Sequence, residues 1–494
     1  MSSNSMLIIH QLHHDFQELI EYVTGEGSWS RTAHEVEFTL FRKLLALGAQ
    51  LLRLFFVHRA SVRPIEPVCA PDGTELKYVE MRPTTYFSVF GKLQFRRHYF
   101  HAPGHKGFCP LDAALSLPAR CYSDLLRDWA EFSATNESYT ESLRVLDHIL
   151  GLALSKQALE TGIQEDAIDV ESFYVQKAVP SPETEGSILV VQADGKGVPM
   201  KRDQPVVQTA RRSKGQKRTK KKEAIVTAHY TIEPYSRTPQ DIVEALVPKE
   251  DQDEHDSALR PQRPTPVGKE VRATLDGKAV AIERLAQRIA QREGHHVQDR
   301  VALTDGSEPL QNRVLAHFPR FTLVLDIIHA SEYLWDAANA LLGETHPDRN
   351  DWVSERLLLL LSGQTTTVIR DLETLAQDES LSSAQRKALK TTIGYYHRNS
   401  PYMRYDHYLQ KGWPIGTGVV EGACGHLVKD RMEQSGMRWT KLGAQTLLDL
   451  RAVRLNDDWD DYQSFHRYRQ HQRLYGAHAE ILPMPEYQGL ALAA

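Results

Sequence analysis

Residues 188–200 read ILVVQADGKGVPM, an apolar, β-branched run that climbs to a carboxylate, Asp194, and then meets Gly195 and Gly197. β-branched residues favour a buried strand, and glycines interrupt one. The stretch predicts a strand over 188–193 that ends at Asp194, where the chain reverses. Asp-Gly after a strand is ordinarily a turn signal. It gains meaning because a second strand, VALTDG at 301–306, ends the same way at Asp305. Catalytic groups gather at the carboxyl ends of strands in helix-flanked sheets, and two carboxylates there repel unless a cation lies between them. Hard oxygen ligands select Mg²⁺ or Mn²⁺.

Outward from this stretch, EAIVTAHYTI (223–232) reads as a strand, 276–292 as a helix, DRVALTD (299–305) as a strand, 308–317 as a helix and FTLVLDII (321–328) as a strand. Residues 235–270 are charged and proline-containing, an excursion from the core. Strands followed by alternating strand and helix predict an α/β fold, a mixed sheet flanked by helices. Residues 333–410 lose the β pattern and read as an all-helical insertion. GWPIGTG (412–418) stops that pattern, and a new helix opens with Thr417 as its N-cap and ends near Gly436. Glu421 falls in its first turn, where the helix dipole favours an ionised carboxylate.

Before the sheet, residues 6–24 and 32–58 carry apolar residues at helical spacing, and TYFSVFGKLQFRRHYF (85–100) reads as a hairpin around Gly91-Lys92. Between 123 and 174 the pattern is helical again. Gly151 follows one helix and Ser155 caps the next, a pair that reads as a helix-turn-helix or as plain core packing. VPSPETEG (179–186) is a linker.

The 494 residues exceed one ordinary core and suggest two to four domains. Hydrophobic residues at 41% and charged residues at 25% exclude global disorder. No apolar run approaches the roughly 20 residues that cross a bilayer, and the N-terminus lacks a basic region followed by an apolar one, so neither membrane insertion nor secretion is expected. Cys69, Cys109, Cys121 and Cys424 are too scattered for a disulfide framework and read as reduced thiols. The net charge of -5 hides a basic run, residues 201–222, with ten Lys or Arg against Asp203.

LVVQADGKGVPM, KKKEAIVTAHYTIEPYSRTP, VALTDGSEPLQNRV, LVLDIIHASEYLW and GWPIGTGVVEGACGHLVKDRMEQSGMRWTKLGAQTLLDLRAVR occur in this order across most of residues 120–460. Together they resemble the bacterial insertion-sequence DDE transposases of the ISKra type, distantly Mutator-like. The resemblance implies a ribonuclease-H-like core whose acidic triad is Asp194, Asp305 and Glu421, interrupted by the helical insertion before the last acid. It also implies two Mg²⁺ (or Mn²⁺) ions, with Asp194 bridging both and Asp305 and Glu421 holding one each. DNA is the implied partner, both terminal inverted repeats and target, bound by a homodimer or higher oligomer in the bacterial cytoplasm at the nucleoid. Asp326 competes for the second acidic role, since LVLDIIH also ends a strand in a carboxylate. Asp305 is favoured because TDG fills the family's second-acid block, while Asp326 and His329 resemble the DxxH element that follows it. His329 would then orient an acid or a phosphate from behind the ligands, or sit as a hydrogen-bonded core histidine.

The basic run links the strand ending at Asp194 to the one starting near Glu223. Arg211, Arg212, Lys214, Lys217, Arg218, Lys220, Lys221 and Lys222 would therefore project beside the carboxylates and neutralise phosphates. Lys429, Arg431 and Arg438, on or after the Glu421 helix, would join them, with Trp439 read as a core aromatic in preference to a base-stacking one. One stretch departs from the family: its members carry a paired-cysteine ribbon after the hairpin, and YFHAPGHKGFCPLD (99–112) lacks one. His101, His105, Cys109 and Cys121 form an alternative zinc set, against a favoured metal-free hairpin.

The resulting organisation is a mainly helical N-terminal region with the hairpin (1–118), a helix-turn-helix-like DNA-binding region (119–178), the catalytic core (186–332), the insertion (333–410), the rest of the core with the Glu helix (411–460) and a tail (461–494). Rival functions are a ribonuclease-H-like nuclease or resolvase without strand transfer, and a catalytically inactive DNA-binding protein.

Overall fold

A computed structural model describes residues 3–62, 67–201, 221–247 and 263–478; Arg211, Arg212, Lys214, Lys217, Arg218 and Lys220 lie outside them. The chain forms two compact units, Met1–Phe173 with Asp458–Ala494, and Tyr174–Asp457.

The first unit opens with two long helices, α1 (Ser3–Thr24) and α2 (Ala33–Ser61). Thr32 and Glu35 form a reciprocal capping box that fixes where α2 begins. A three-stranded antiparallel sheet follows, β1 (Val68–Cys69), β2 (Glu75–Ser88) and β3 (Gly91–His101). The β2–β3 turn needs Gly91, whose φ is 117°. Phe56 of α2 stacks on Phe95 of β3 at 4.3 Å.

Then come α3 (Pro110–Ala114), α4 (Asp124–Ala134), α5 (Tyr139–Leu150) and α6 (Lys156–Asp166). α5 ends at Gly151 in the left-handed region, φ 70°, and the Ser155 hydroxyl accepts the Ala158 N–H at 3.1 Å, which opens α6. Leu126, Leu143, Leu146, Leu159 and Ile163 are buried on α4, α5 and α6. α7 (Val170–Gln176) leads into the second unit. Among the described residues, His101, His105, Cys109 and Cys121 do not gather at metal-ligating distance, and His105 instead bonds Asp72 at 2.9 Å.

The second unit is built on β4 (Ile188–Pro199), β5 (Lys221–Ile232), α8 (Pro239–Leu246), β6 (Val267–Thr274), α9 (Lys278–Arg292), β7 (Asp299–Thr304), α10 (Glu308–His317) and β8 (Thr322–Leu325). The five-stranded sheet runs β6-β5-β4-β7-β8; β5 is antiparallel to both of its neighbours, β6 and β4, and β4, β7 and β8 are parallel. It is a mixed sheet flanked by helices.

β4 is central and buried on both faces, which explains its continuous apolar run. Leu189, Val191 and Ala193 meet Ile282, Leu285 and Ile289 of α9 and Leu310 and Val314 of α10. Ile188 and Val190 belong to the opposite core. Each of the Val, Leu and Ile side chains among them contributes roughly 1.5–3 kcal/mol by leaving water.

That opposite core is shared with the helical segment α11 (Ile327–Leu342), α12 (Arg349–Leu361), α13 (Thr365–Leu375), α14 (Ser383–Asn399) and α15 (Tyr405–Gln410). α16 (Gly418–Ala423) runs through a π-helical turn, Cys424–Lys429, into α17 (Asp430–Met432); α18 (Lys441–Leu455) follows. The last helix, α19 (Trp459–Tyr475), belongs to the first unit. No described helix is long and apolar enough to cross a membrane.

Three local expectations are corrected. β4 does not stop at Asp194: it continues to Pro199, paired with β5 from Ile188↔Ile232 to Pro199↔Lys221. Gly195 and Gly197 are strand residues over which cross-strand side chains lie, and a Cβ at 195 would collide with the Glu223 carboxylate. Residues 235–270 are also less of an excursion than their composition suggests, since α8 and the edge strand β6 lie there. Thr417 stands at the N-cap position, but its hydroxyl does not cap α16.

Candidate active site

Asp194 follows the last parallel pair of β4 and β7, Ala193↔Thr304, and Asp305 follows Thr304 directly. The two acids therefore lie side by side where the parallel pairing of β4 and β7 ends, Asp305 just past the end of β7 and Asp194 within β4, which runs on against β5. Asp305 starts a turn: its carboxylate accepts the Ser307 N–H at 2.9 Å, and Gly306 takes φ 85°. Burial raises the Asp305 pKa and the nearby negative charge of Asp194 adds to this, against the opposing Ser307 N–H and the His329 and Lys278 charges.

Alternation puts Gln192 and Asp194 on one face of β4. Gln192 is buried and holds the third acid in place. Its Oε1 accepts the Val420 N–H at 2.9 Å and its Nε2 donates to the Tyr230 hydroxyl at 3.1 Å, so α16 is pinned to β4 one residue before Glu421. One turn beyond Glu421, the Cys424 thiol donates to Asp194 Oδ2 at 3.3 Å. Burial and the adjacent Asp194 push that thiol's pKa far up, so it remains a proton donor. Cys424 also begins the π-helical turn, a distortion frequent at functional sites.

Asp326 caps α11 and is fully buried. Its Oδ1 accepts the N–H groups of Thr417 (3.0 Å) and Ile328 (3.3 Å), and its Oδ2 accepts the His329 N–H (3.2 Å) and His329 Nδ1 (2.6 Å). Burial alone would raise the Asp326 pKa, but the hydrogen bond and charge of His329 and the Thr417 N–H hold it below the usual carboxylate range. The bond to Asp326 in turn raises the His329 pKa to about 9, against burial. His329 stands 3.7 Å from Glu421 Oε1, which also accepts the Thr417 hydroxyl at 2.8 Å. Burial raises the Glu421 pKa, with Asp326 adding and Thr417 and His329 opposing. The helix-dipole expectation of an easily ionised Glu421 is thereby corrected.

Among the described residues, Asp326, His329 and Glu421 are the group whose ligand atoms all lie within 4.8 Å of one another. That cluster is compact because Asp326 and His329 are bonded to each other. All four acceptor positions of the Asp326 carboxylate are filled by N–H groups and its side chain is 0% exposed, so it positions His329 and the start of α16. Asp194, Asp305 and Glu421 are each partly exposed. Two divalent ions about 3.5–4 Å apart would themselves keep outer ligands farther from one another. Among the described residues Asp194, Asp305 and Glu421 do not themselves form such a compact group.

The cationic residues named from sequence fare unevenly. Lys429 and Arg438 are exposed. Lys221 pairs with Glu433, and Lys222 is half-buried on β5. Arg431 is corrected: it is 0% exposed, its guanidinium 5.1 Å over the Trp439 ring, so it meets no surface phosphate. Trp439 is a core aromatic whose Nε1 donates to the Met432 carbonyl at 3.0 Å. Sequence reasoning missed Gln192 and Cys424. The signals were a lone amide inside a buried apolar strand, and a thiol three residues after Glu421, hence on its face of the helix.

A family model described as "Uncharacterised protein family (UPF0236)" matches residues 59–246, a span that includes Asp194 and ends before Asp305. A protein described as "UPF0236 protein in vanSb 3'region", from Streptococcus gallolyticus, is 30% identical over 126 residues. That match covers 25% of this chain and 27% of the relative, so the chain spans about a quarter of the length of the relative it resembles.

Proposed function

We propose that the chain is a DDE transposase, cutting DNA at the ends of an insertion sequence and joining it elsewhere with a metal-dependent acidic triad of Asp194, Asp305 and Glu421. The observation that carries this is the convergence of three acids distant in sequence: Asp194 and Asp305 at neighbouring positions, on β4 and just past the end of the adjacent β7, and Glu421 on a helix bonded to Asp194 through Cys424 and to β4 through Gln192. The strand order, with β5 antiparallel between β4 and β6 and with β7 and β8 parallel on the other side, supports a ribonuclease-H-like core. The helical segment between Asp305 and Glu421 supports an insertion before the last acid.

The donor set fits divalent cations. It consists of hard carboxylate oxygens, and two of its members sit at raised pKa with like charges among the causes, a repulsion that a cation relieves. When bound, two such ions supply an activated hydroxyl nucleophile and stabilise the leaving 3′ oxygen. The chain's own residues do the rest. Gln192 and Cys424 fix the α16 acid against β4, the Ser307 N–H orients Asp305, and Asp326 holds His329 cationic beside Glu421, where it offsets carboxylate charge. Exposed apolar side chains on α1 and α2, among them Phe16, Ile20, Phe38, Phe41, Leu44 and Phe55, support association with a second copy.

The test is Asp194→Ala in the full chain, on duplex DNA taken from the flanks of its own gene. DNA binding should survive, while Mg²⁺-dependent cutting should fall by at least about a thousandfold, beyond the 10–100-fold typical of residues behind the ligands. Cutting at the wild-type rate would defeat the triad. Joining of a supplied 3′-hydroxyl end to target DNA separates a transposase from a nuclease.

A further inference from the structure

α14 carries no Asp or Glu along its 17 residues, in a protein of net charge -5. Its inner face, Leu389, Thr392, Tyr395, Tyr396 and Asn399, is buried in the second unit. Its outer face presents Lys387, Lys390, Thr391, Gly394, His397 and Arg398, all exposed. Among the described residues neither Lys387 nor Lys390 pairs with a carboxylate, whereas His397 meets Glu373 at 2.9 Å. Both lysines line an open groove of 430 Å³ with Ser383, Arg386 and Thr391. A Cβ at Gly394 would touch nothing within 4 Å, so the middle of the stripe is bare.

A solvated helix face ordinarily mixes signs, and like charges three residues apart cost it a few tenths of a kcal/mol. This face does not mix them. It is also aimed. At its far end the Tyr395 hydroxyl donates to the Asp305 carbonyl at 2.9 Å, and Arg398 donates to the Gly306 carbonyl at 3.3 Å. Tyr333 stacks on Tyr395 at 3.8 Å and stiffens that junction. Lys387 and Arg398 are roughly 16 Å apart along the axis, so the stripe leads from open surface to the turn that bears Asp305.

We infer that the outer face of α14 is a sequence-independent track for the DNA sugar-phosphate backbone, contacted by Lys387 and Lys390, which carries the strand toward the Asp305 turn. This rests on the transposase reading and adds to it the path of the substrate. Neither lysine belongs to the acidic triad.

The experiment measures binding of the full chain to a labelled 30-base-pair duplex, without divalent metal, from 50 to 200 mM salt. With Lys387→Gln and Lys390→Gln together, the slope of log affinity against log salt should flatten by about 1.8, near 0.9 for each phosphate that a lysine no longer neutralises. At 0.1 M salt the affinity should fall roughly fiftyfold. Arg at both positions should restore slope and affinity, and Lys269→Gln, on the edge strand β6, should leave the slope unchanged. Thermal melting checks that each variant is folded. A double-Gln slope equal to wild type, or no rescue by Arg, overturns the track while the triad stands on its own cutting assay. A wild-type chain that binds no duplex overturns both.

Discussion

Gln192 shows how much rests on one polar side chain inside an apolar strand. Its amide is buried, and its oxygen is the acceptor for the Val420 N–H. Gln192→Leu preserves volume but leaves that N–H without its acceptor, which costs about 1–3 kcal/mol. The expected outcome is a urea midpoint lowered by that amount, together with weaker Mn²⁺ binding by calorimetry, because α16 is no longer pinned beside Asp194. A midpoint shift below about 0.5 kcal/mol would mean that Gln192 holds nothing. At the residue scale the sequence offers candidates: Asp194, Asp305 and Glu421 each read alone as a turn or helix-start carboxylate, and the two matching strand-then-Asp-Gly stretches and the family resemblance single them out. The full environment of Asp326 was not legible, because beyond the neighbouring Ile328 and His329 one of its four donors is the Thr417 N–H, 91 residues away.

Among the elements, β4 as far as Ala193, β5, β7, β8, α9 and α10 followed their hydrophobic periods, and α8 and β6 did not stand out. The β6 sequence, VGKEVRAT, hides a period of two because Glu270 faces inward and is 4% exposed, held by Arg288 at 3.1 Å and His229 at 3.4 Å. An ion-paired acid in the core reads as surface until its partners are known. The same device fastens α19 in the first unit. His466 Nδ1 lies 2.8 Å from Asp169 and its Nε2 lies 3.0 Å from Asp166. Burial opposes its charge, yet the hydrogen bonds and charges of the two acids raise the His466 pKa to about 9. A folded pKa above the unfolded value of about 6.5 stabilises fully below pH 6.5, and the contribution disappears as pH rises through 9. It is worth on the order of 3 kcal/mol. The urea midpoint of the first unit should therefore fall between pH 7 and pH 10, and His466→Gln should flatten that decline. Parallel curves for the two proteins would remove His466 as the cause.

At the scale of the whole molecule the two units differ in continuity. The second is one stretch whose ends meet: Asn456 Nδ2 donates to the Tyr174 hydroxyl at 2.8 Å, and its Oδ1 accepts the Val271 N–H at 2.8 Å. The first needs both chain ends, because α19 supplies Trp459, Tyr462 and Phe465 to its core, the last two edge-on against Phe173 at 5.5 and 5.7 Å. Composition gave no hint of this, since contacts across some 290 residues leave no local period. Truncation after Asp457 deletes all three aromatics. Each Phe or Trp removed from a core costs about 3–5 kcal/mol, against a typical domain stability of about 5–15 kcal/mol, so the first unit should unfold. The second retains its sheet, its helical segment and the Asn456 fastening. Limited proteolysis of the truncated chain should leave a protected fragment beginning near Tyr174, while residues before Phe173 are digested. A first unit as resistant as in the full chain would mean that its core closes without α19.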